Sequence, residues 1–161
     1  MKKQYAVILL LAFGTSLAVA NSLEQAPVPE PSPEPEAVAE RLPPKLRKFL
    51  KKEMHLLAEA GRTMEAALAE GDSKTVEDLA KRMHESFIMK QELTTMDLRE
   101  LKVIVGEDFV TRDKAFHGMA AELSLAAKAG DVVLQQEIFG NMIRVCAACH
   151  VAYAPKASVL E

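Results

Sequence analysis

The chain has 161 residues, 49% of them hydrophobic and 27% charged, with only seven glycines, a balance that suits one globular domain with extensions. A formal net charge of −3 lacks the positive field a nucleic-acid binder needs. With 5% aromatics and no tryptophan, few rings remain for stacking on bases or for lining a large enzyme pocket.

Lys2 and Lys3 precede an apolar run from Tyr5 to Phe13, and Ala18, Val19 and Ala20 supply the small-x-small pattern of a signal-peptidase site. Residues 1–20 therefore read as a secretory signal and predict a periplasmic location. The apolar run is too short to span a bilayer, so no stable membrane span is expected after cleavage. Residues 21–44 alternate proline with glutamate (Pro27, Pro29, Glu30, Pro31, Pro33, Glu34, Pro35, Glu36), which removes helix donors and favours an extended, disordered tether.

Residues 45–155 read as the folded domain and 156–161 as a tail. Leu46, Phe49, Leu50, Met54, Leu57, Gly61, Met64 and Leu68 recur every three or four residues until Gly71, which predicts a first helix. Ser73 can cap a second, with Val76, Leu79, Ala80, Met83 and Phe87 on its stripe, continuing to about Leu93. The stretch Thr94 to Gly106 is ambiguous: Thr95 could cap a short turn, while Val103, Ile104 and Val105 favour an extended crossover. Phe109, Asp113, Phe116, Ala120, Leu123 and Ala127 predict a third helix ending near Gly130, with Asp113 as its one polar intruder. Asp131 can cap a fourth, striped by Val132, Gln135, Gln136, Phe139, Met142, Ile143, Cys146, Cys149 and Tyr153 up to Pro155. Four amphipathic helices and no credible strand predict an all-α, antiparallel four-helix bundle.

Two cysteines occur in the whole chain, and they stand in the order Cys146-Ala-Ala-Cys149-His150. This is the spacing of covalent c-type haem attachment: two thiols three residues apart can each add to one porphyrin vinyl group, and the adjoining imidazole can reach the iron. A redox dithiol would open a helix after a strand, a structural zinc site would need four ligands, and a plain disulfide leaves His150 without a role. One covalently bound haem c is the predicted cofactor.

An exported four-helix chain carrying Cys146, Cys149 and His150 on its last helix resembles the class II c-type cytochromes, the cytochrome c prime and cytochrome c556 family, over roughly residues 44–155. The resemblance implies a bundle around one haem, His150 as proximal ligand, and a distal face that is either open or filled by a first-helix methionine. By helical rise Met54 sits about 15 Å into the first helix, near the expected end of the fourth, and Met64 roughly another 15 Å along. Met54 is therefore the first choice of sixth ligand. The competitors are His55, one step round the helix from Met54 and expected towards solvent or a rim, and His84 and His117, expected at the flanks of their stripes; an open face lined by Phe87 is the remaining option. Arg47, Lys48, Lys51, Lys90 and Arg144 are candidate partners for haem propionates.

The reading that follows is a monohaem cytochrome that transfers single electrons with periplasmic redox partners. Two bundles could pair through the first helix. No serine, histidine and acid arrangement suggests an enzyme. The rivals are a five-coordinate haem protein binding nitric oxide or carbon monoxide, and a haem-free helical interaction module.

Overall fold

The computed structural model describes residues 37–87 and 89–155. The expected signal peptide, most of the expected tether, and the tail at 156–161 lie outside the described residues. Those residues form seven helices and, among them, no strand: α1 (Val38–Arg41), α2 (Pro44–Glu70), α3 (Ser73–Glu85), α4 (Met89–Glu92), α5 (Thr95–Val105), α6 (Glu107–Lys128) and α7 (Val132–Tyr153).

The helix ends follow local chemistry. Pro44 begins α2, where its missing N–H costs nothing. Gly71 ends it in the left-handed region (φ 74°), with its amide bonded back to Ala67 and Leu68 carbonyls. Asp72, not the expected Ser73, caps α3: its carboxylate accepts from the Thr75 amide at 3.1 Å. Asp131 caps α7 as expected, accepting from the Leu134 amide at 3.0 Å.

Two expectations need correction. The second helix does not run on to Leu93; it stops at Glu85, because Ser86 turns to φ 61° and a buried acid on α2 binds the following amides. The Thr94–Gly106 stretch is helical rather than extended. Thr94 and Asp97 form a reciprocal capping box, and Leu101 and Val105 are buried while Val103 is left in solvent. Burial of the i, i+4 pair outweighs the extended preference of Val103, Ile104 and Val105. The packed chain also begins before Pro44, since Val38 and Leu42 are both buried.

Two apolar clusters form the core. One joins α2, α3, α6 and α7 through Met64, Val76, Ala80, Ala120, Leu123 and Met142 among others. The other gathers Val38, Leu42, Leu46, Leu50, Leu93, Leu101 and Val105 around the first half of α2. Helix α3 packs most extensively on α6, α6 next on α7, and α2 on α3; the α2–α7 seam is the thinnest of the four. Alanine at the α3–α6 contact lets those two helices approach closely.

Candidate functional site

The thin seam holds a partly open cavity of about 600 Å³. That size lies within the range of small-molecule and cofactor sites, roughly 300–1,000 Å³. One wall is the C-terminal half of α7, with Cys146, Cys149, His150 and Tyr153; facing it are Leu50, Met54 and Leu57 of α2. Phe109, Phe116 and Phe139 supply aromatic lining, and residues of α1 and the Met83 side chain complete it. The 100° step per residue in a helix explains the α7 wall, because Cys146, Cys149, His150 and Tyr153 fall on one face.

Both cysteines are free thiols and half-buried. Burial is the main cause that raises their titration, with the neighbouring Cys149 adding to it at Cys146, which is pushed up to about 11. Cys149 is also raised, opposed by the Arg112 guanidinium. With nothing attached, both are therefore neutral thiols at neutral pH, compatible with an apolar wall. Among the described residues no cluster of three or more His, Cys, Asp or Glu side chains converges as a site for a bare metal ion.

Met54 is half-buried, lines the cavity and packs against the second apolar cluster. His55 also lines the cavity but is a rim residue, its side chain 60% exposed and its Nε2 3.3 Å from Glu59. His84 and His117 do not line it. Nδ1 of His84 lies 3.0 Å from the His117 carbonyl, and Nδ1 of His117 contacts the Met83 carbonyl. A carbonyl can only accept, so each Nδ1 carries its hydrogen and the pair cross-ties α3 to α6. Phe87, expected on an open distal face, is not part of the lining either; it lies under the Arg82 guanidinium, 4.8 Å from the ring centre.

Of the five cations expected near an acidic cofactor edge, Lys51 alone reaches the cavity. Arg47 binds Glu40, Lys90 donates to the His84 carbonyl at 3.2 Å, and Arg144 bonds Asn141. Arg112 of α6 is a cavity cation that the helical periodicity did not single out, since it precedes the expected intruder Asp113 by one residue. Its Nε donates to Asp108 at 2.9 Å, and the Tyr153 hydroxyl donates to the same carboxylate. The bond from Tyr153 first, then that from Arg112, hold Asp108 below the usual carboxylate range; the bond to Asp108 raises Tyr153 in turn, opposed by the Arg112 guanidinium. Tyr153 packs edge-on against Phe109, with ring centres 5.1 Å apart. The rim is thus polar and tied across α6 and α7, while the interior is apolar.

A second residue that periodicity missed is Glu53. It is 2% exposed, and its carboxylate accepts from the Ser86 hydroxyl at 2.7 Å and from the amides of Phe87 at 2.8 Å and Met89 at 3.3 Å. Its signal is positional: three residues past Leu50, it falls on the apolar stripe.

Compared with protein families, curated proteins and solved structures, the chain gave no match.

Proposed function

We propose that the chain is an exported monohaem c-type cytochrome of the antiparallel four-helix kind that transfers single electrons, with haem attached through Cys146 and Cys149, His150 as proximal iron ligand and Met54 as sixth ligand. The observation that carries this reading is one cavity whose α7 wall presents both thiols and the imidazole, and whose α2 wall presents a thioether. The residues suit such a group: the interior is apolar and aromatic, large enough for a cofactor, and charged only at its rim.

Haem supplies an iron that cycles between two oxidation states one electron apart. Cys146 and Cys149 fix the position of the group to α7, one helical turn apart. His150 offers a nitrogen from the same helix, and Met54 offers a soft sulfur that favours the reduced metal. Phe109, Phe116 and Phe139 present apolar rings to the interior, which would lower the solvent exposure of the charge change. Lys51 and Arg112 place positive charge at the rim, where an acidic edge of the group is best compensated. No described helix is long and apolar enough to cross a membrane.

The test is the visible spectrum and mass of the chain produced in a host competent for haem attachment. Denatured protein is expected to keep the porphyrin mass and absorbance, and Met54→Ala is expected to turn a low-spin reduced spectrum high-spin. A colourless chain of polypeptide mass overturns the proposal. A low-spin spectrum unchanged by Met54→Ala moves the sixth ligand to His55, the one remaining histidine at the rim. Carbon monoxide binding to the wild type with no ligand to displace would favour gas binding over electron transfer.

A further inference from the structure

Residues 37–42 continue a proline- and glutamate-rich run, yet Ala37, Val38, Ala39 and Glu40 form part of the cavity wall. A four-residue helix is not stable alone, so something must hold α1 in place. Two kinds of contact do. Val38 and Leu42 are 4% and 2% exposed, packed in the second apolar cluster. Arg47 supplies the other: its Nη2 donates to the Glu40 carbonyl at 2.7 Å and the Leu42 carbonyl at 3.2 Å, and its Nη1 lies 3.0 Å from Glu40 Oε2.

These carbonyls sit at the end of α1, where a helix leaves its acceptors unpaired, so one guanidinium serves as both C-terminal cap and ion-pair partner. Lys51, itself a cavity residue, adds weaker attraction at 3.6 Å from Glu40. Arg47 Nε is buried and has no hydrogen-bond partner among the described residues, so the arrangement gives up one donor of the guanidinium. A lysine could not reproduce the arrangement, because a point charge lacks the planar fork.

We propose that residues 37–42 are a strap closing one wall of the cavity, and that Arg47 is the positioning residue that latches it and so sets how readily small solutes enter. The latch stands on the geometry alone. Only its use, to hold small gaseous ligands away from the metal, rests on the proposed function.

Haem content of the purified full chain, measured first, reports on the proposed function and not on the strap. If haem is present, the readout is the association rate of carbon monoxide with the reduced protein in a Met54→Ala background, where no thioether has to leave. If it is absent, the readout is the rate at which N-ethylmaleimide labels Cys146 and Cys149 under native conditions. Arg47→Ala and Val38→Asp are expected to raise the rate roughly tenfold, as local opening becomes easier without its charge-assisted cap or its anchor. Arg47→Lys should fall between, and Lys74→Ala, on the far exposed face of α3, should leave the rate at the wild-type value. Wild-type rates in Arg47→Ala and Arg47→Lys, with helical circular dichroism intact, overturn the strap. Should Val38→Asp fail to fold, the two arginine variants still decide.

Discussion

At Glu53 a single side chain decides where one helix ends and the next begins. Its carboxylate collects a hydroxyl and two backbone amides from the segment around Ser86, whose positive φ would otherwise have little to stabilise it. Glu53→Ala removes the acceptor for these donors at a site closed to water, and is expected to cost about 3 kcal/mol in urea unfolding. Glu53→Gln should cost less, because an amide oxygen still accepts although its NH₂ group faces donors. A loss under about 1 kcal/mol for the alanine variant would show that the turn holds itself. This residue also marks where sequence reading stops. The cysteine and histidine spacing was legible because its five residues are local. Glu53 looked like any other acid because its partners lie more than thirty residues away. The buried Gln135 was placed on the α7 stripe for the same local reason. Its exchange of hydrogen bonds with Ser73, at 3.0 and 3.3 Å, was not legible.

Among the elements, α5 is the one whose form had to be decided by competition between propensity and packing. Its start is over-determined: the Thr94 hydroxyl accepts from the Asp97 amide, Asp97 accepts from the Thr94 amide at 2.9 Å, and Lys45 of α2 reaches the same carboxylate at 2.7 Å. The Lys45 bond first, then those from Thr94, hold the Asp97 carboxyl at about 2. A group depressed in the folded state stabilises fully above its unfolded value, near 3.8, and loses that contribution as pH falls towards 2. Acid unfolding of the wild type should therefore steepen between pH 4 and 2, and Asp97→Asn should flatten that limb while Lys45→Met flattens it in part. Thr94→Ala is expected to cost about 1 kcal/mol at neutral pH by removing one cap. An acid limb identical in Asp97→Asn and wild type would mean that the clamp contributes nothing measurable to folding. Helices α2, α6 and α7 were legible because their stripes are long and end in glycine or proline. The extent of α3 and the helicity of α5 were not, since one depends on Glu53 and the other on burial of Leu101 and Val105 against distant residues.

For the molecule as a whole, stability should be uneven in a direction set by the cavity. The α3–α6 side of the core is apolar, with Val76, Ala80, Ala120 and Leu123 all fully buried, and the His84 and His117 rings tie its backbones together. The α2–α7 seam instead contains the cavity, and there α1 depends on two apolar anchors and one guanidinium. Apolar walls without filling atoms lose contacts on one side, so this half should open at lower free energy than the other. A Cys146→Ser/Cys149→Ser chain, which can tether nothing, provides the test by native-state hydrogen exchange. Amides of residues 38–57 and 139–153 are expected to exchange by local opening, at least tenfold faster than those in the middle of α3 and α6. If the wild-type chain carries a tethered group, protection should rise selectively in those two segments, because a filler that cannot leave stabilises only the state that surrounds it. Equal exchange in both halves of the serine variant would show that the cavity is not the weak side of the fold. The helices flanking it would then be held by their own packing, with or without an occupant.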